Sequence, residues 1–129
     1  MITKKFYKIA KNELFNICRS ITGDGVRKTL KIYKKNFPNL KIKSIRSGTK
    51  VFDWTVPSEW NIKDAYILDK NNKKIVNFKN NNLHIVSYSK PLNKIISKNE
   101  LFKKLHSLKK QPTAIPYVTS YYKKDWGFC

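Results

Sequence analysis

The stretch Cys18-Arg19-Ser20-Ile21-Thr22-Gly23-Asp24-Gly25-Val26-Arg27 decides how the first third of the chain folds. Before it, Phe6, Ile9, Ala10, Leu14, Ile17 and Cys18 recur at three- and four-residue spacing, which predicts an amphipathic helix over 4–19. Within it, Ile21-Thr22-Gly23-Asp24-Gly25 breaks that helix. Asp24 stands where an N-cap would start a second one, from Gly25 to Asn36, with Val26, Leu30, Tyr33 and Phe37 on its apolar face. Pro38 and Asn39 end the second helix. Two helices joined by a short glycine turn predict a helical hairpin.

Beyond Pro38 the period changes. Leu40, Ile42 and Ser44 alternate with other residues as a strand would. Lys50 to Val56 is rich in β-formers and is closed by Pro57. Ala65–Leu68 and Lys74–Phe78 flank the turn sequence Asp69-Lys70-Asn71-Asn72 and predict a β-hairpin. Asn80-Asn81-Asn82 leads into a further strand, Leu83 to Tyr88. Ser97-Lys98-Asn99-Glu100 fits a capping box for a short helix from Lys98 to about His106. Tyr117 to Tyr122 reads as a last strand. The fold class is α+β: an N-terminal helical hairpin, then a small, mostly antiparallel β domain with one short helix.

The 129 residues allow one domain, or a small domain with pieces of another, and a hydrophobic fraction of 40% suffices for a core. No apolar run approaches the roughly 20 residues of a membrane span. The basic start, Met1 to Lys11, lacks the apolar stretch of a secretion signal. With only Cys18 and Cys129 and no disulfide framework, the expected compartment is the cytoplasm. The net charge of +20 invites a nucleic-acid reading, but 25 Lys stand against 3 Arg, and Arg is the residue suited to bidentate phosphate and guanine contacts. The lysines are scattered, and their abundance beside Asn and Ile matches AT-rich coding, so nucleic acid is disfavoured as a partner.

Candidate chemistry is sparse. His84, His106, Cys18 and Cys129 do not stand at metal-ligand spacing. Gly23-Asp24-Gly25 has neither the length nor the Lys-Ser/Thr of a phosphate-binding loop, and Asp24 would repel an anion there. No Ser or Cys has the base and acid of a nucleophilic triad. Trp54, Trp60 and Trp126 suit packing, or stacking on a base or sugar ring. Asp53, beside Trp54, is a candidate buried carboxylate. The chain ends on Trp126-Gly127-Phe128-Cys129, residue types usually buried. The expectation is the front part of a larger protein. Phe128, Trp126 and the first helix's apolar face should then lie partly uncovered, leaving the isolated chain marginally stable and sticky.

Six segments carry a resemblance. They are Cys18 to Arg27, Ser47-Gly48-Thr49-Lys50-Val51-Phe52-Asp53-Trp54, Pro57-Ser58-Glu59-Trp60-Asn61-Ile62, Asn82 to Ser89, Ile115 to Tyr122 and Trp126 to Cys129. In this order they resemble the N-terminal portion of bacterial aminopeptidase-like proteins whose zinc-peptidase domain is interrupted by a small β-rich domain of unknown function. Such proteins are often linked with surface-polysaccharide gene clusters. The resemblance implies that residues 1–47 are the opening helices of the peptidase-like domain, 48–115 the inserted β-rich domain, and 116–129 a truncated return segment. It implies a fragment of a larger α/β zinc-peptidase-like fold, acting on a peptide or related amide through zinc-activated water. The family's metal ligands lie beyond residue 129, so the chain as written should bind no zinc, hold no catalytic residue and be inactive. Arg19, Asp24 and Arg27 fall in the first matched segment and are the candidate substrate-binding residues. The implied partners are the missing C-terminal peptidase portion, a peptide-like substrate and a possible second copy through an exposed strand edge; no membrane is implied. Two alternatives from other classes stay open: a self-contained basic module for nucleic acid or another polyanion, and a β domain for oligomerisation or partner recognition.

Overall fold

The computed structural model describes residues 2–120 and 123–129, with Ile2 described by its backbone alone. Its contacts divide the chain into two compact units, residues 1–61 and 62–129. Each is α+β in miniature: short helices with one two-stranded antiparallel sheet.

The first unit opens with α1, Ile2–Ile9, which runs into a π-helical turn, Ala10–Leu14. The predicted continuous helix over 4–19 is therefore shorter and changes pitch. The Phe15 amide donates to the Ala10 carbonyl at 2.8 Å, five residues back. This wider turn brings residues five apart onto one side. That is why Ile9 and Leu14 are both buried while Ala10, which the α-helical pattern places inside, is exposed. After the turn comes α2, Asp24–Asn36. The Phe6 and Phe37 rings stack at 5.2 Å, joining the first helix to the residue that follows the second. The stretch from Leu40 to Ser44, expected as a strand, is irregular. Lys34 Nζ donates to the Pro38 carbonyl at 2.5 Å and the Leu40 carbonyl at 2.7 Å, occupying backbone acceptors a strand would need.

The single strand expected over 50–56 is a tight hairpin, β1 (Lys50–Val51) against β2 (Trp54–Thr55). The chain reverses at Phe52-Asp53, so the β-forming residues do form strands, but with a turn between them. Asp53 is exposed, not a buried carboxylate. Val56 completes the small core with Ile9 and Leu14.

The second unit contains the predicted hairpin, β3 (Tyr66–Leu68) with β4 (Lys74–Asn77). Asp69 builds the turn as its sequence promises, its carboxylate accepting from the amides of Asn71 at 2.8 Å and Lys73 at 2.9 Å. The predicted strand 83–88 is only partly extended. It starts as a 3₁₀ turn, Asn82–His84, capped by the Asn81 side chain accepting from the Leu83 amide. It stops at Tyr88, whose left-handed backbone (φ 66°) no strand can contain. The helix α3, Lys98–Phe102, has the expected Ser97 cap on the Glu100 amide, at 3.2 Å. The reciprocal half of the capping box is not made, because the Glu100 carboxylate pairs with Lys94. The helix ends before His106 because the backbone of 104–106 is engaged elsewhere.

It is engaged with the final residues. Phe128 donates to the Lys104 carbonyl at 2.9 Å and accepts from the His106 amide at 2.8 Å. On its other side, the Val86 amide donates to Gly127 at 3.0 Å and the Cys129 amide to His84 at 3.0 Å. The last segment thus lies between 84–90 and 104–106, and Phe128 joins Ile85, Val86 and Ser120 in the core. The expectation of an uncovered Phe128 is corrected: its own unit buries it, and Trp126 is half-buried. On the apolar face expected for the first helix, Ile9 and Leu14 are buried, Phe6, Ile17 and Cys18 are half-buried and Ala10 is exposed, so that face is partly uncovered as expected. Of the expected last strand, Thr119 forms an isolated parallel bridge with Ser87, while Tyr121 and Tyr122 lie outside the described residues. No helix among the described residues is long and apolar enough to cross a membrane.

Candidate functional site

The glycine turn of the first unit is built against residues far along the chain. Gly23 has φ 111°, and a Cβ there would fall 2.4 Å from the Trp60 carbonyl oxygen. A Cβ on Gly25 would fall 2.0 Å from the Cys18 carbonyl oxygen. Each glycine is thus required for a close backbone approach. Around them, Thr22 Oγ1 donates to the Ser58 carbonyl at 3.3 Å, and Ser20 Oγ donates to the Thr22 carbonyl and, at 3.5 Å, to that of Trp60. The Cys18–Arg27 and Pro57–Ile62 segments therefore interlock through Ser58, Trp60 and Asn61.

Asp24 does not cap α2. It is the first helical residue, and Gly23 occupies the cap position without a side chain. The cap comes from Asn61, whose Oδ1 accepts from the Asp24 amide at 2.7 Å. This frees the Asp24 carboxylate to pair with Arg27 Nη1 at 2.8 Å, while Arg27 Nη2 pairs with Glu59. The hydrogen bond and charge of Glu59, then the hydrogen bond of Asp24, raise the Arg27 pKa above its ordinary value. Two carboxylates on one guanidinium leave no excess positive charge there, and the group is half exposed. Arg19 stands apart from this pair. Its Nη1 donates to the Leu14 carbonyl at 2.7 Å, satisfying the end of the π-helical turn, and to Thr29 Oγ1 at 3.4 Å on α2. Asp24 and Arg27 are thus brought together, and Arg19 ties the end of the π-helical turn to the middle of α2. Sequence reasoning missed Glu59, Asn61 and Thr29. No local pattern marks Asn61 as a cap for a helix 37 residues upstream.

The metal-ligating residue types do not converge. No group of three or more His, Cys, Asp or Glu residues among those described could hold a metal. His84 Nδ1 lies 2.9 Å from the Cys129 carbonyl oxygen, which fixes it as a donor. Burial raises the thiol pKa of Cys18, partly offset by Arg19, and that of Cys129, partly offset by a backbone hydrogen bond from Val118. Neither thiol is primed as a nucleophile or ligand.

Residues 59–129, more than half of the chain, match the family described as a domain of unknown function, DUF2172. The chain belongs to this family. One relative from Clostridium acetobutylicum is 57% identical over 116 residues, 90% of this chain but 26% of its own length. Its name is that of a candidate polysaccharide biosynthesis protein with an aminopeptidase-like domain. The crystal structure of a candidate peptidase from the same organism matches with a TM-score of 0.86 at 50% identity, over 98% of this chain and 32% of that one. The chain thus spans about a quarter to a third of the length of these relatives. The resemblance drawn from the six segments stands, and the α+β fold here recurs within a larger candidate peptidase.

Zinc, the metal that the resemblance implies, does not fit the residues of this chain. Its two histidines and two cysteines include one ring held by a backbone carbonyl and two thiols biased towards their protonated form. A ligand set needs three or four such groups converging on one point.

Proposed function

We propose that these 129 residues are the N-terminal part of an aminopeptidase-like zinc metallopeptidase, and that they carry no hydrolytic activity alone. The observation that carries this reading is the 57% identity to a protein with an aminopeptidase-like domain, of which this chain covers only 26%. In the longer protein, residues outside these 129 would hold the zinc, which would supply a Lewis acid and an activated water for cleaving a peptide or related amide. In that context residues 1–47 open the peptidase-like domain, 48–115 form the inserted domain and 116–129 return to it. Compactness divides the chain differently, since 48–61 fold with the helices. Asp24 and Arg27, with Glu59, form an exposed charged group on the first unit, and we assign them as the residues that approach a substrate; Arg19 instead ties the end of the π-helical turn to α2. We read the protein as cytoplasmic, in keeping with its two free thiols.

The test is hydrolysis of aminoacyl anilides, with zinc supplied, by two proteins. One is the 129-residue chain. The other is the same chain continued by the part of the clostridial relative outside the match. Turnover is expected from the longer protein only. Turnover by the short chain would overturn the proposal, as would its absence from a folded, zinc-loaded longer protein.

A further inference from the structure

Phe52 combines two features that separately oppose folding. The residue is 101% exposed, and its backbone is left-handed, with φ 55°. The hairpin pairs Lys50 with Thr55 and Val51 with Trp54, so Phe52 and Asp53 are the two turn residues. Positive φ at the first but not the second turn residue is the pattern of a type II′ turn, whose first position ordinarily belongs to glycine. A Cβ there meets the backbone. The chain does use glycine at the neighbouring turn: Gly48 has φ 85° although nothing lies within 4 Å of where its Cβ would be. Exposure alone decides little, as Ile95 shows, being 102% exposed in an irregular loop without positive φ. At Phe52 a strained backbone presents a large apolar ring to solvent, an arrangement that persists at functional contacts.

We propose that Phe52 is a docking side chain. The type II′ hairpin holds it out to enter an apolar pocket on the part of the longer polypeptide that lies outside these 129 residues. The inference rests on the reading above only in taking the chain to work within a longer one. The solved relative carries this fold over 98% of the present chain together with about twice as much further polypeptide, so a covering surface of the same molecule is available. Charge points the same way. Lys50 on the hairpin and Arg46 at its entry turn are exposed, and the chain as a whole carries +20. A second copy would bring like charges together, whereas a pocket with an acidic rim would meet them. Trp54, 39% exposed on β2, adds apolar surface beside the tip.

The test compares the 129-residue chain with the same chain continued by the unmatched part of the clostridial relative. In D53C, which leaves the Phe52 ring in place, peptide-level mass spectrometry follows alkylation of residue 53 at the exposed tip, with half-buried Cys18 as the internal reference. Fast labelling is expected in the short chain and labelling at least tenfold slower in the longer one. F52G is the second variant: it should raise the melting midpoint of the short chain by roughly 4–8 °C and lower that of the longer chain. Equal labelling rates, or a rise in both midpoints, would overturn the proposal. So would a dimer of the short chain, seen by sedimentation, that F52G dissolves. Amide hydrolysis measured on the same longer protein separates the two readings: activity without protection of the tip rejects the docking role alone, and protection without activity rejects the peptidase reading alone.

Discussion

The two units solve the same problem, a small core, by different means. In the first, a backbone turn is pressed against distant backbone, with Gly23 on the Trp60 carbonyl and Gly25 on the Cys18 carbonyl, and a borrowed cap from Asn61. Ile9, Leu14 and Val56 are its buried apolar side chains. In the second, the backbone of the last segment bridges 84–90 and 104–106, and the Phe128 side chain is buried in the same core as Ile85 and Val86. The comparison teaches where each unit is brittle. The first should fail when a side chain is added, the second when one is removed.

The largest effect should come from the second unit. Phe128→Ala removes a ring that is 9% exposed and should cost about 3–5 kcal/mol. Hydrogen exchange should show amides 85–89 losing protection while those of α2 keep theirs; equal loss in both would mean the units are not separately built. In the first unit, Gly25→Ala should cost about 1–3 kcal/mol, because its new carbon meets the Cys18 carbonyl. Denaturant unfolding that leaves this variant as stable as the parent would show that the close approach is not needed.

A sharper probe of the borrowed cap is the pair Asn61→Ala and Asp24→Ala. The first should destabilise by about 1 kcal/mol and the second by less, since Asn61 and not Asp24 satisfies the helix start. The reverse order would restore Asp24 as the cap.

The smallest effect concerns Asp125. The hydrogen bond from Lys104, then that from the Trp126 amide, hold its carboxyl below the usual carboxylate range. A depressed folded-state pKa stabilises above the unfolded value, near 4, and that contribution is lost as pH falls through the folded value. The melting midpoint should therefore fall less steeply below about pH 4 in Asp125→Asn than in the parent. Because the pair is a third to a half exposed, the difference is small.

What was legible in the sequence was local. The turn at Asp69 to Asn72, the cap at Ser97 and most of the second helix depend on neighbours a few residues away, and all are present. What was not legible depends on distant partners. The pattern at Asp24 satisfies every local rule for a cap, yet Asn61 takes the role. The expected strand at 83–88 and helix end at 106 yield to the final segment, whose backbone claims their hydrogen bonds. The π-helical turn after Ile9 shifts the buried face in a way that a fixed α-helical period cannot express. For the candidate site, the sequence placed Asp24 and Arg27 at helical spacing and so within reach of one another. It gave no sign that Glu59 would share the guanidinium or that Arg19 would bind carbonyl oxygen instead.

On the proposed reading, the metal ligands of the longer protein lie outside these 129 residues. Zinc content after exhaustive dialysis of the metal-loaded 129-residue chain tests it most directly. No retained zinc is expected in the short chain, and stoichiometric zinc is expected in the chain continued by the unmatched part of the clostridial relative. Stoichiometric zinc in the short chain, lost on substitution of His84 or His106, would contradict it.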